Sequence, residues 1–142
     1  MMPSPNDIDL VRVFTRAAGG TTAETALPFN ANFEVVVEAE AGSAILATGA
    51  QFAITLVVRD LTSGANFVAA PKIGSNSPAI STNANLSSAA WPLQNRQFEY
   101  TVTAPGAAAE NHFCEALASV RVGVNNPDVE FASSSLFLMI RP

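Results

Sequence analysis

Residues 33–40 read FEVVVEAE, with Phe33, Val35, Val37 and Ala39 on one side of an extended chain and Glu34, Glu38 and Glu40 on the other. Successive side chains of a strand point to opposite faces, so a period of two specifies a half-buried β-strand. The alternation recurs in QFAITLVVRD (51–60), where Phe52, Ile54, Leu56 and Val58 oppose Gln51, Thr55 and Arg59. It recurs again in QFEYTVTA (97–104), where Phe98, Tyr100 and Val102 oppose Gln97, Glu99, Thr101 and Thr103. Four less regular segments complete the set: IDLVRVFTR (8–16), NFVAAPK (66–72), HFCEALASVRVGV (112–124) and SLFLMIR (135–141).

Between these segments stand Gly19-Gly20, Ser63-Gly64, Pro105-Gly106 and Asn125-Asn126-Pro127, all favourable to turns. LTSGAN (61–66) reads as a hairpin connection. The stretch 73–95, rich in Ser, Asn, Ala and Pro, reads as a long connection holding at most one short edge strand, with Trp91 plugging one end of the core. The expected fold is all-β, an antiparallel two-layer β-sandwich of about seven to eight strands in a single domain over residues 1–142. One segment leaves two readings open. In AAAENHFCEALASV (107–120), Phe113, Ala116, Leu117 and Val120 match a helix, whereas Cys114, Ala116, Ala118, Val120, Val122 and Val124 alternate as a strand. The longer alternating series favours the strand.

Composition removes several classes of function. The net charge is −5, with Lys72 the only lysine beside six scattered arginines, so electrostatic capture of nucleic acid or an anionic membrane is not expected. No apolar run reaches the roughly 18–20 residues of a membrane span, and MMPSPNDIDLVRVF has neither the basic nor the apolar region of a secretory signal. Charged residues make up only 13% of the chain, a sparsely charged polar surface of the kind found in extracellular, virion or otherwise assembled proteins. A single cysteine forms no internal disulfide, so the fold rests on packing alone.

That cysteine lies in ENHFCEAL (110–117), together with the only histidine. On a strand, His112 and Cys114 share a face about 6–7 Å apart, and Cys114 continues the row of small core residues. A structural thiol is favoured over a catalytic one, which would need an exposed, stabilised thiolate. Zinc wants three or four ligands, and here the soft ones end at two. No strained G-x-S-x-G turn and no phosphate-cradling glycine loop occurs. Asp7, Asp9, Asn125, Asn126 and Asp128 offer oxygen ligands without the spacing of a calcium loop. Glu34, Glu38 and Glu40 read as a solvated face with Arg59 or Arg121 as ion partners. No catalytic residue, metal or cofactor is therefore expected.

The frame His112-Phe113-Cys114-Glu115-Ala116, after a loop that follows the fifth strand, resembles the sixth strand of immunoglobulin-like sandwiches. Histidine stands where a corner tyrosine is usual, no second cysteine exists, and Trp91 lies outside the third strand. The resemblance implies a sandwich used for recognition or assembly, without choosing a ligand.

The C-terminus departs furthest from alternation. In LFLMI (136–140), Phe137 and Met139 oppose Leu136, Leu138 and Ile140, so both faces are apolar; Leu10, Val11, Val13 and Phe14 show a milder excess. A strand with one wet face should alternate, so something must cover the second face. The expected function is that of a non-enzymatic structural subunit, a homo-oligomer or larger assembly packing through these two strands. The alternative is a module binding glycan or protein through end loops that carry Trp91, Asn125, Asn126 and Asp128, with Phe67, Phe113 and Phe131 as further exposed aromatics.

Overall fold

The structure, a computed structural model, describes residues 8–86, 91, 95–123 and 128–142. The strictly alternating segments occupy the centres of two sheets. β1 (Ile8–Ala17), β3 (Phe33–Ala41), β5 (Ala69–Pro71) and β7 (Asn95–Val102) form one, in the order β1-β3-β7-β5. β2 (Ala26–Pro28), β4 (Gln51–Asp60), β6 (Ala84–Asn85), β8 (Phe113–Val122) and β10 (Phe137–Ile140) form the other, in the order β2-β10-β8-β4-β6, with β9 (Asp128–Ser133) also paired to β8. The two sheets stack as an immunoglobulin-like β-sandwich, whose sheets have the corresponding first-second-fifth-fourth and third-sixth-seventh strand orders.

The structure departs from the sequence expectation in several places. Pairing is antiparallel except between β2 and β10, which run parallel. β2, β9 and the short helix α1 (Ser43–Ala47) lie outside the expected strands. The three residues of β2 are too few for alternation to be seen against loop composition. Residues 107–120 contain one 3-10 turn, Ala107–Ala109, and then strand β8. The LTSGAN turn does begin a hairpin: Gly64, at φ +82°, donates to the Asp60 carbonyl, and Phe67 donates to that of Val58. The chain then crosses to the first sheet, so only Ala69–Pro71 of NFVAAPK is strand.

The core lies between the sheets, with an aromatic cluster at each end. Trp91 is fully buried, its ring 5.3 Å from Phe52 and 5.2 Å from Phe98. At the opposite end Phe33 meets Phe137 edge-on at 5.5 Å. Such T-shaped contacts add to the stabilisation from buried area.

The two apolar-on-both-sides strands turn out to be bulged. In β1 the register against β3 shifts between Leu10 and Arg12, which leaves Val11 as the extra residue, 46% exposed. Between β9 and β10 the register against β8 also slips by one: Ser133 pairs with Leu117 but Phe137 with Cys114. Ser134 stays buried beside Ala116, the amide of each residue bonded to the other, through the Ala116 carbonyl and the Ser134 hydroxyl. An extra residue moves every following side chain to the other face. Phe137 and Met139 thereby reach the core while Leu136 is left outside. Much of the apolar excess is thus a change of parity within the chain. Replacing Phe137 with Ala should cost about 3–5 kcal/mol, whereas Leu136→Ala should stay within about 0.5 kcal/mol. Urea unfolding of the two variants measures the difference, and comparable losses would refute this parity.

Candidate functional site

The outward faces of the two sheets are finished in opposite ways. On the first sheet Arg16 Nε donates to Glu34 Oε1 at 2.8 Å, and Arg16 Nη2 to Glu99 Oε2 at 2.8 Å. The Lys72 ammonium sits 3.1 Å from Glu34 Oε2 and 3.2 Å from Glu99 Oε2. Burial works to raise the Glu34 pKa, but hydrogen bonds from Arg16, the Gly19 amide and Lys72 outweigh it and hold the carboxyl below its usual range. Next in register, Arg12 pairs with Glu38 at 3.3 Å and stacks 4.3 Å from the Phe14 ring centre. Beneath these side chains Val36 is 0% exposed although it belongs to the outward row. The expected solvated face is thus a lattice of charge around Glu34, Glu38 and Glu99, whereas Glu40, opposite Asp9 in register, has no ion pair among the described residues. Glu34 and Glu38 take partners from their own sheet because Arg59 and Arg121 lie on the other.

The second sheet has no such cover. Of the ten large hydrophobics exposed among the described residues, six stand on its outward rows: Val57, Phe113, Leu117, Val129, Phe131 and Leu136. Leu61, one residue past β4, continues the row at its rim. Phe131 is 76% exposed and Phe113 55%. Cross-strand register joins part of them, with Val57 opposite Leu117, Leu117 opposite Ser133, and Ser119 between Thr55 and Phe131, while the row of Arg59 and Glu115 separates Phe113 from Leu117 and Val129 stands beside Arg121. A contiguous apolar patch of this kind is uncommon on a surface that meets only water.

The His–Cys pair acquires a third member. Asp60, at the end of β4, is directly opposite Cys114 in register, and its Oδ2 lies 2.6 Å from His112 Nδ1. The Asp60 Oδ1 accepts the amides of Thr62 and Ser63 at 3.0 and 3.1 Å, closing the hairpin turn. Burial favours the neutral acid, but the bonds from His112 and Ser63 prevail, so the pKa of Asp60 is lowered. Cys114 is fully buried, and burial together with the Asp60 charge pushes its thiol up to about 12. A thiol so placed is no nucleophile near neutral pH. His112 ties the β4 turn to the start of β8, in place of the corner tyrosine of the sandwich it resembles.

The other expected site residues are divided. Val13, Phe137 and Met139 belong to the chain's own core, so they present no interface; Leu10, Phe14, Leu138 and Ile140 are half-buried, and Val11 and Leu136 exposed. Trp91 is withdrawn from the ligand-loop reading because its ring fills the core, and Phe67 packs against that core as well. Asp128 opens β9 on the surface, while Asp7, Asn125 and Asn126 lie outside the described residues. Glu110 is held by Arg141 at 2.8 Å. No helix among the described residues is long and apolar enough to cross a membrane. The residues that sequence reading missed are Val57, Leu117 and Val129. The signal of Val57 and Leu117 was present as apolar residues on the polar side of otherwise alternating strands, whereas Val129 belongs to β9, a strand outside those expected.

Two measurements check the Asp60 cluster. A carboxylate with a lowered folded pKa stabilises the fold above its unfolded pKa and loses that contribution as pH falls through the folded value. The stability gap between the wild type and Asp60→Asn should be full at neutral pH and shrink as pH drops below about 4. A gap that stays constant into strong acid would assign the bond another role. Thiol alkylation of Cys114 should proceed only after denaturant unfolds the chain, and rapid labelling of the native protein would contradict its burial.

No family model matches the sequence, and no curated protein matches it significantly. Among solved structures the chain is similar to AggA, the major subunit of aggregative adherence fimbriae type I from Escherichia coli, at 8% identity and a TM-score of 0.44, over 95% of this chain and 99% of that one. It is also similar to the ASH/PapD-like domain 7 of human CEP192, at 15% identity and a TM-score of 0.41, over 100% of this chain and 92% of that domain.

Proposed function

We propose that this chain is a non-enzymatic structural subunit that packs against neighbouring protein through the outward face of its second sheet. One observation carries the reading: the exposed large hydrophobics gather on that face, while the opposite outward face is sealed by its own ion pairs. Burial of an apolar side chain contributes roughly 1.5–3 kcal/mol, so several exposed together supply a driving force that single scattered ones do not. The buried, protonated Cys114 supports a role without catalysis at the one Cys–His pair. Leu136, with the half-buried Leu138 and Ile140, adds the C-terminal strand to the same face. The N-terminal strand belongs to the other sheet, and its Phe14 is covered by Arg12.

Light scattering coupled to size exclusion on the full chain tests the proposal. The expected result is a discrete species heavier than the 14.8 kDa chain, reduced to monomer by Leu117→Lys or Phe131→Lys with the circular dichroism of a folded sandwich unchanged. Deleting residues 136–142 is a poor substitute, because it also removes Phe137 and Met139 from the core. A wild-type chain that stays monomeric at every concentration would overturn the reading.

A further inference from the structure

The outward face of β4, β8 and β9 has rows that complement each other. Register places Ser133, Leu117 and Val57 in one row and Phe131, Ser119 and Thr55 in the next. An open groove of about 440 Å³ runs along the two rows and is lined by all six. Consider a second copy turned by half a rotation about an axis lying between the two faces, perpendicular to β8 and level with Ala118. Each row then lies over the other row of the second copy: Phe131 over Ser133, Leu117 over Ser119, Val57 over Thr55. In two of the three columns a larger side chain meets a smaller one, as interdigitation of facing sheets about 10 Å apart favours, and in the third the near-isosteric Val57 and Thr55 meet.

Charge follows the same operation. Glu115 and Arg121 both stand on the outward face of β8, six residues and so about 20 Å apart along the strand, on either side of the groove. Half a rotation at the level of Ala118 brings Glu115 of each copy to Arg121 of the other. Within one chain Glu115 stands opposite Arg59 in register but has no ion pair within 4 Å among the described residues, and Arg121 has only the Asn83 side-chain oxygen at 3.0 Å. Glu34, Glu38 and Glu99 of the first sheet, by contrast, take Arg12, Arg16 and Lys72.

We propose that the neighbour covering the second sheet is a second copy of this chain, packed face to face about a two-fold axis with the β8 strands antiparallel, Phe131 seated beside the second copy's Ser133 and Glu115 against the second copy's Arg121. The proposal rests on the assembly reading above and specifies its partner and geometry. A two-fold interface is self-complementary, so each contact occurs twice.

Sedimentation velocity on the full chain over a concentration series, with charge-reversal variants, tests it. Glu115→Arg and Arg121→Glu, each alone, set like charges together twice and should weaken dimerisation at least about tenfold. The double variant Glu115→Arg/Arg121→Glu restores opposite charges and should regain most of the wild-type association. All three changes lie at partly or fully exposed positions, and circular dichroism confirms folding in each case. Failure of the double variant to recover would overturn the two-fold arrangement. So would a heavier species that Phe131→Lys dissolves but single charge reversals leave intact, which would keep the assembly reading and discard this geometry. A wild type that is monomeric throughout would remove both.

Discussion

The unbroken pairing of β4 with β8 is the constraint on which the rest of the structure depends. From Phe52–Val122 to Asp60–Cys114 the two strands keep one register without a bulge. A slip of one residue would exchange every core side chain for a surface one. That register sends Ile54, Leu56, Val58, Ala116, Ala118 and Val120 inward to meet the first sheet. By the same parity it sends Val57, Leu117 and Ser119 outward, and it sets Asp60 opposite Cys114. Core, surface patch and polar corner therefore follow from one alignment.

The outward faces show two solutions to the problem of finishing a sheet. On the first, long charged side chains lie across an outward valine, and their heads neutralise one another. Exposed ion pairs contribute little singly, but a mostly buried group such as Glu34 must be bonded, or its desolvation would destabilise the fold. On the second, the outward rows alternate apolar side chains with serine and threonine, and Arg59, Glu115 and Arg121 flank them without closing over them. The contrast matters more than either face alone. One surface is closed largely by the chain's own ion pairs, and the other keeps large apolar side chains exposed.

Bulges explain why apolar residues on both sides of a short strand misdirect a sequence reading. Period-two counting assumes continuous parity, and Phe137 and Met139 satisfy it only after an extra residue in the Ser134–Leu136 segment. LFLMI is apolar on both faces, yet two of its five residues belong to the core. Leu10 and Val13 likewise face inward on either side of the bulged Val11. Phe131 drew notice only as a loose aromatic, because β9 is short and begins beside residues that resemble a turn. Its place beside Leu117 and Val57 depends on two strand pairings that no local pattern encodes.

The sequence by itself determined the sandwich class, the inward rows of β3, β4, β7 and β8, and the structural character of Cys114. Each of these follows from side-chain alternation and from the preference of apolar groups to leave water, which act along a single segment. Only the tertiary structure decided which strands are neighbours, and with them the ion lattice over Val36, the Asp60–His112 bond and the apolar outer face of the second sheet. Those features join residues distant in the chain, such as Arg16 and Glu99 or Asp60 and His112. Their geometry exists only once strand order and register have been set by packing the two sheets together.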